Sequence, residues 1–335
     1  MSASNTSKPE YGLITIGNAL VDVLTQKTDA YLTEQNMDKG SMALIDAERT
    51  LALYNDMDDK TEMSGGSAGN TMACFASFGG KGAYIGKVGD DVLGTKFADS
   101  LKDMGVDYDT KPLSDGSTGR CMILVTPDGE RTMNTFLGAA VELTPDDIDP
   151  KFIAKGKVIY LEGYLFDPPQ AKEAFVKSAR EAHEASRRVA LTLSDSCCVD
   201  RHREAFKDLV SLHTDILFAN EDEIKSLYET DDLEKAIDIA SSKCAVCAIT
   251  RGEKGSIIIN SGVRTDISAE ENVNVVDTTG AGDAYAAGFL YGFTEDMDMA
   301  TCGRLGSIAA AQVISQIGPR PSVSLAELMQ EKKVA

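Results

Sequence analysis

VVDTTGAGDAYAAGFLYG, residues Val275–Gly292, carries more structural information than any other stretch of this 335-residue chain. A short apolar run ends at Asp277, glycines follow at Gly280 and Gly282, and a run of small residues typical of a packed helix comes next. Glycine lets the backbone approach a ligand with no Cβ in the way. The unpaired N–H groups and the dipole of a helix start attract phosphate oxygens. We therefore predict an anion site at the start of this helix.

Asp283 falls in the first turn of the same helix, beside the expected anion site. A carboxylate next to phosphate is unfavourable unless it handles a proton, so one hypothesis is a general base for an attacking hydroxyl. The alternative is an ordinary glycine turn in which Asp283 interacts favourably with the helix dipole. Periodicity alone does not separate these two interpretations.

A second glycine cluster, GGSAGN at Gly65–Asn70, leads into another helical pattern and places Asn70 near its first turn. Two such helix starts in one chain favour a ligand with several oxygen atoms. The common phosphate motifs are absent from the sequence. It contains no GxxxxGK[ST], which argues against a P-loop enzyme. Neither GKG at 80–82 nor GAG at 280–282 continues to the third glycine of a dinucleotide fingerprint.

Apolar runs rich in β-branched residues alternate with helical patterns such as Gln170–Ala185 and Asp231–Ser242. This alternation predicts crossover connections and a mainly parallel sheet with helices on both faces. The expected strands of that sheet are Tyr11–Gly17, Ala83–Val88, Val158–Leu161, Val189–Leu193, Ile216–Ala219, Ala245–Thr250 and Ser256–Ile259.

Two regions interrupt the alternation. Ser117–Gly138 resembles two strands joined by a turn at Pro127-Asp128-Gly129, where proline presets the backbone for the first turn position. Val21–Ala43 contains short β-like pieces and no long helix. We expect the two regions to form a small separate sheet.

Composition limits the classes of partner. The net charge of −20, from 53 acidic and 33 basic side chains, repels polyanions and disfavours nucleic acid as a partner. No run approaches 18 apolar residues, so we expect no membrane span. Met1–Glu10 is polar and lacks the apolar core of a secretory leader. We therefore predict a cytoplasmic protein whose seven cysteines are thiols.

Cys244 and Cys247 form a CxxC sequence that could in principle bind metal or perform redox chemistry. They lie inside the apolar run CAVCAIT, and the chain has three histidines and no second CxxC to complete a zinc site. We interpret both as core cysteines.

The two glycine-rich segments, GGSAGNTMACFASFGGKGAYIGKVGDDVLG near residue 65 and DTTGAGDAYAAGFLYG at 277, resemble the two signatures of the ribokinase/PfkB kinases. The resemblance extends from about Leu13 to Pro321. It implies one ribokinase-like domain over residues 1–335, with a parallel sheet between helices and a small β lid from about 19–44 and 113–137. It also implies transfer of the γ-phosphoryl group of ATP to a primary hydroxyl.

The resemblance assigns expected roles to single residues. Asp283 is the expected catalytic base, and the backbone of Gly280, Ala281 and Gly282 the expected anion hole. Arg131, in TPDGERTMNTFLGAA, is expected to neutralise the transferring phosphoryl group, with a solvated hairpin charge as the alternative.

Asn220 and Glu223 match the family's NxxE motif and would organise Mg²⁺ through water; the alternative is a capped helix with acids in its first turn. The family's ATP-flanking loop resembles TRGEKG, which includes Thr250, Gly252 and Gly255, and Asn220 is also expected beside ATP. A site for a monovalent cation such as K⁺ would involve Asp277, Thr279, Gly318 and Ser322.

For the acceptor, Asp22 can accept two hydrogen bonds from vicinal ribose hydroxyls. With Gly65, Gly66 and Asn70 it matches the family's sugar-binding group, and the opening Gly-Asn before it, with Asn18, resembles members that act on adenosine. Because the chain has no tryptophan, the base would stack on other side chains, and Phe136 and Phe166 are our candidates.

The expected acceptor is thus a small molecule, adenosine ahead of ribose, fructose or another nucleoside. A non-catalytic nucleoside-binding regulator is the alternative from another class, and either a monomer or a homodimer is expected.

Overall fold

The computed structural model describes residues 8–166 and 168–334, so most of the polar stretch Met1–Glu10 lies outside the described residues. In chain order the strands of this part are β1 (Tyr11–Ile16), β2 (Leu20–Gln26), β3 (Met42–Leu44), β4 (Thr61–Ser64), β5 (Gly82–Ile85), β6 (Asp107–Tyr108), β7 (Gly119–Val125), β8 (Arg131–Phe136), β9 (Gly156–Glu162), β10 (Arg188–Thr192), β11 (Ile216–Asn220), β12 (Val246–Thr250), β13 (Ser256–Asn260) and β14 (Val263–Ile267). The helices are α1 (Asp29–Glu34), α2 (Ala47–Asp56), α3 (Ser67–Ser77), α4 (Val92–Asp103), α5 (Pro150–Ile153), α6 (Pro169–Glu184), α7 (Ser196–His213), α8 (Glu221–Tyr228), α9 (Leu233–Ser241), α10 (Ala281–Thr294), α11 (Met299–Ile314) and α12 (Leu325–Glu331).

The central element is a nine-stranded sheet in the order β14-β13-β12-β11-β10-β9-β1-β5-β6. Strands β12, β11, β10, β9, β1, β5 and β6 run parallel to their neighbours, and β13 and β14 are added antiparallel at one edge. The predicted parallel α/β fold is confirmed, and each of the seven expected strands is present within a few residues. Strands β6 and β14 were not predicted, because β6 has two residues and β14 is largely exposed and polar.

Helices cover both faces of this sheet because its central strands carry buried apolar side chains on both faces. Leu13 and Val158 point into one core cluster, and their neighbours Ile14 and Ile159 point into the other. Alternation of side chains along a strand produces this division. One cluster is packed against α3, α10 and α11, and the other against α6 to α9.

A second, five-stranded sheet has the order β3-β8-β7-β2-β4, and we call it the small sheet. Residues 19–44 and 113–137 contribute four of its strands, and β7 and β8 form the expected hairpin with a turn at Asp128 and Gly129. Strand β4 and helix α2 lie outside those ranges. Because β4 is four residues of mixed polarity, TEMS, its sequence carries no strand pattern.

Two local features bear on the sequence interpretation. The apolar run before Asp277 is not a strand: Val275 is 58% exposed, and the Val276 amide donates to the Ile314 carbonyl at the end of α11. Cys244 and Cys247 are buried in the core, as interpreted. No described helix has the length and apolarity needed to cross a membrane.

Candidate active site

A cavity of about 720 Å³ lies at the carboxyl ends of five adjacent parallel strands. Crevices at this edge of an open α/β sheet are where ligands bind. The strand ends contribute residues such as Asn18, Glu162 and Asn220, the starts of α3 and α10 form its floor, and the small sheet covers it. The two glycine-rich helix starts, over 200 residues apart in sequence, thus face one space.

The start of α10 has the geometry expected of an anion site. Gly280 adopts φ +79°, which favours glycine, and a Cβ there would lie 2.6 Å from the Pro319 side chain. A Cβ on Gly282 would meet nothing within 4 Å, because that face opens into the cavity. Gly280, Ala281 and Gly282 all line the cavity. The first N–H groups of a helix have no partner within it, so they are available to a ligand.

Asp283 follows this turn and also lines the cavity. Ser67, at the start of α3, donates its hydroxyl to Asp283 Oδ1 at 2.6 Å, and Asn70 Nδ2 lies 3.4 Å from Oδ2. Burial raises the pKa of Asp283 to about 6, partly opposed by these two hydrogen bonds. A carboxyl group that titrates near neutrality and faces a cavity suits proton transfer. Its role as base remains a prediction.

Asp22 lies on β2 with its carboxylate packed on Gly65, where a Cβ would approach the carboxyl atoms to 2.4 Å. Gly66 is equally restricted, since a Cβ there would meet the Asn18 carbonyl oxygen at 2.2 Å. Asp22 is 8% exposed, and burial raises its pKa to about 6. The structure therefore brings the predicted acceptor-binding residues together around one end of the cavity.

Glu162, at the end of β9, is a cavity residue that sequence reasoning missed. Its Oε1 accepts from Asn18 Nδ2 at 2.9 Å and its Oε2 from the Ala68 amide at 2.7 Å. It is 1% exposed, and burial raises its pKa to about 7. The only signal in the sequence was an acid directly after an apolar strand. Glu162 fixes the Asn18 side chain and joins β1 to the start of α3.

Arg131 and Asp277 form an ion pair that links the small sheet to the segment before α10. Arg131 Nη2 lies 2.6 Å from Asp277 Oδ2, and both side chains are largely shielded from solvent. Asp277 also accepts from the backbone amides of Thr279 and Gly318, at 3.1 and 2.8 Å. The alternative of a solvated hairpin charge for Arg131 is wrong, because a carboxylate holds it against the loop that precedes the anion site.

The same contacts bear on the predicted K⁺ ligands. Asp277, Thr279 and Gly318 lie together, but Asp277 already accepts from three donors and its charge is balanced by Arg131. The Ser322 hydroxyl and amide both donate to Gln316 Oε1. The Asp277 carboxylate, which is the charged member of the set, is therefore engaged by protein donors and by Arg131, so it fits K⁺ poorly in this arrangement.

The NxxE residues form a complete capping box at the start of α8. Asn220 Oδ1 accepts from the Glu223 amide at 2.8 Å, and Glu223 accepts from the Asn220 amide and Nδ2 at 3.0 and 2.7 Å. Burial raises the pKa of Glu223 to about 7. Both side chains line the cavity, so the cap and a water-mediated Mg²⁺ role are compatible. No group of three or more metal-ligating side chains occurs among the described residues.

The ATP-flanking loop is only partly at the cavity. Thr250 lines it, but Gly252 and Gly255 lie farther along the β12–β13 connection, where both adopt positive φ. A Cβ on Gly255 would lie 1.9 Å from the Ile267 carbonyl oxygen. Close packing of the backbone therefore requires glycine at this position.

The candidates for base stacking were wrong. Phe166 is 2% exposed and stacks on Phe206 with ring centroids 4.5 Å apart in the core. Phe136 pairs with Arg120 on the small sheet and is not among the cavity residues. The small sheet and its neighbours contribute apolar side chains without aromatic rings to the cavity wall instead, namely Leu20, Met42, Leu44, Ile123, Met133 and Leu137, beside the polar Asp22 and Thr135.

Comparison with known proteins agrees with this geometry. The crystal structure of a probable sugar kinase from Rhizobium etli CFN 42 is 47% identical, with a TM-score of 0.91 over 98% of this chain and 100% of its own. That of adenosine kinase from Sinorhizobium meliloti is 48% identical, with a TM-score of 0.90 over 96% and 99%. Adenosine kinase from Saccharomyces cerevisiae is 27% identical over 92% of this chain and 96% of its own. The pfkB family carbohydrate kinase profile matches residues 44–325. Because this match covers most of the chain, the protein belongs to the pfkB family of carbohydrate kinases.

Proposed function

We propose that the protein transfers the γ-phosphoryl group of ATP to the 5′-hydroxyl of a nucleoside, converting adenosine to AMP. The observation that carries the proposal is the composition of the acceptor end of the cavity. Polar groups that suit a ribose, Asp22 and Asn70, lie beside an aliphatic wall that includes Leu44, Ile123 and Leu137. A free sugar has hydroxyls on most of its carbons and would leave that wall facing water. A flat base attached to the ribose would cover it.

In this proposal Asp22 accepts from the two ribose hydroxyls, and Asn18, held by Glu162, faces the base. Asp283 takes the proton of the 5′-hydroxyl, because its raised pKa of about 6 makes it a stronger base than an exposed aspartate. The amides at Gly280 to Gly282 stabilise the charge that develops on the transferring phosphoryl group.

ATP and Mg²⁺ follow from membership of a kinase family. The buried carboxylate of Glu223 and the amide of Asn220 suit a hydrated Mg²⁺, which prefers oxygen ligands and keeps several of its waters. The small sheet would act as the lid, and Arg131 would add its positive charge near the phosphoryl group while it stays paired with Asp277. We do not extend the proposal to K⁺, because Arg131 already balances the charge of Asp277. A cytoplasmic location and a monomer or homodimer remain predictions.

The test is competition among adenosine, inosine, guanosine, ribose and fructose at fixed MgATP. A site whose buried polar groups find partners only on the right acceptor discriminates by about 10⁴ in kcat/KM, so we expect adenosine to exceed the free sugars by that order. A pentose or hexose as the preferred acceptor would establish the sugar-kinase alternative. Binding of adenosine without turnover of any acceptor would favour the regulator.

A further inference from the structure

Arg320 lies in the loop between α11 and α12 and extends between two helices of the core. Its Nε donates to Asn70 Oδ1 on α3 at 3.2 Å, and its Nη1 donates to Ser100 Oγ on α4 at 3.1 Å. Its Nη2 is buried and has no hydrogen-bond partner within residues 8–166 and 168–334. A guanidinium held in this way is costly to bury, so a function is expected to offset that cost.

The hydrogen bond from Arg320 determines which way the Asn70 amide points. A guanidinium has donors only, so the Asn70 atom that faces it must be the carbonyl oxygen. The Asn70 NH₂ group is then directed toward the cavity, where it lies 3.4 Å from Asp283 Oδ2. Arg320 and Asp283 thus favour the same orientation from opposite sides, because the flipped amide would place its NH₂ group against the guanidinium and its oxygen against the Asp283 carboxylate.

The loop itself is held in place. Gln316 Nε2 donates to the Arg320 carbonyl at 2.5 Å, and the Gly318 amide donates to Asp277. Pro319 packs against Gly280 of the anion site. The backbone around Arg320 is thereby fixed relative to both the anion site and the start of α3.

The Arg320 charge also acts on the acceptor end of the cavity. Burial raises the pKa of Asp22, and Arg320 is the strongest of the charges that oppose this rise. Arg131 acts in the same direction, and Asp283 acts against both. Arg320 therefore favours the carboxylate form of Asp22, which is the form that accepts from ribose hydroxyls.

We propose that Arg320 is a positioning residue for the acceptor site, which orients the Asn70 amide so that its NH₂ group faces Asp283 and the acceptor. The proposal rests on the proposed function for the identity of the acceptor, but not for the orientation of Asn70.

A double-mutant cycle tests the proposal on the full-length protein. Arg320→Met keeps the length of the side chain and removes its donors and charge. We expect the KM for the acceptor to rise about 10- to 100-fold, the effect of losing a hydrogen bond to a charged group, with the KM for ATP within about two-fold. If Arg320 acts through Asn70, Arg320→Met adds little in an Asn70→Ala background. Arg188→Met, which removes an exposed arginine paired with Asp215, is the matched control and leaves these constants unchanged.

A second measurement does not depend on the acceptor. In protein labelled with ¹⁵N-asparagine, the side-chain signals of Asn70 are identified by their loss in Asn70→Ala. In Arg320→Met we expect these signals to shift and broaden, and in Arg188→Met to stay unchanged. Arg320→Lys keeps the charge and one donor, so it should recover part of the acceptor KM, and it replaces Arg320→Met if that variant fails to fold.

Additive effects of the two substitutions on the acceptor KM would show that Arg320 does not act through Asn70, and they would overturn the proposal. Unchanged Asn70 signals in the Arg320 variant would overturn it as well. If the wild type phosphorylates a free sugar instead of adenosine, the proposed function fails, and the same cycle run with that sugar still decides the role of Arg320. If it phosphorylates nothing, the Asn70 signals decide it.

Discussion

Replacing Asp283 by Asn should lower turnover and raise stability at the same time. The substitution keeps the size of the side chain but removes its ability to accept a proton. The amide can still accept from Ser67 through its oxygen, and it gives up only the long 3.4 Å contact with Asn70. We expect turnover to fall by about 10²- to 10⁴-fold, the usual contribution of a general base.

The gain in stability follows from the pKa of Asp283, which burial raises from 3.8 to about 6. The folded protein therefore holds this proton more tightly than the unfolded chain, and the stability it contributes is lost as the pH rises from about 4 to about 6. A difference of about 2 pKa units corresponds to about 3 kcal/mol. Because Asp283 borders the open cavity, solvent screening reduces the cost of the carboxylate to about 1–2 kcal/mol. Asp283→Asn removes this cost.

The assay is urea unfolding followed by circular dichroism, since the chain has no tryptophan. At pH 8 we expect Asp283→Asn to be more stable than the wild type by that amount, and the difference should shrink below pH 6 and approach zero near pH 4. In the wild type, kcat/KM should rise with pH through about 6 as the base loses its proton. Asp238→Asn, at an exposed position of α9, is the control and should change neither quantity.

Near-normal turnover of Asp283→Asn would refute the role of Asp283 as base. A variant that is no more stable than the wild type at pH 8 would show that the buried Asp283 carboxylate does not destabilise the folded protein. The two measurements are independent, because turnover reports proton transfer and unfolding reports the cost of burying the carboxylate.

Three further substitutions test other parts of the site. Asp22→Ala should raise the KM for the acceptor about 10- to 100-fold and leave ATP binding nearly unchanged; separate titrations of the two ligands measure this, and equal weakening of both would contradict it. Arg131→Gln breaks the ion pair with Asp277 and should lower kcat about 10-fold or more, with partial recovery in Arg131→Lys; unchanged kcat would exclude a role in phosphoryl transfer. Burial raises the pKa of Glu162 to about 7, and Glu162 holds Asn18, so the wild-type KM for the acceptor should change between about pH 6.5 and 8 as this carboxyl group loses its proton. Glu162→Gln has no proton to lose and should remove that change; a pH profile that matches the wild type would contradict this role.

Much of the fold could be predicted from the sequence because the central strands are apolar on both faces. Runs such as Val158–Leu161 and Ile216–Ala219 have no other location than the interior of a covered sheet. Short or half-exposed strands carry no such pattern, so β4, β6 and β14 were missed.

The residues of the candidate site also fall into two groups, those that could be recognised from the sequence and those that could not. Glycine followed by a helix start is a local feature, so GAGD and GGSAGN could be recognised from residues that are adjacent in the chain. The partners of those residues are remote. Glu162 is one of 53 acidic side chains, and 144 residues separate it from Asn18. Phe166 was a candidate for the base because aromatic residues often stack on ligands, but its contacts with Phe206 place it in the core.

By itself the sequence determined the parallel sheet, the two glycine-rich helix starts and the place of Asp283 in the first turn of the second helix, because each is encoded by neighbouring residues through backbone geometry and burial. Only the tertiary structure decided which charges meet. It paired Arg131 with Asp277 and directed Arg320 to Asn70, 250 residues away in the chain. Electrostatic and hydrogen-bonding partners depend on distances of a few ångströms between segments that the sequence does not order in space. Covalent neighbours are fixed by the chain, and spatial neighbours are fixed by packing.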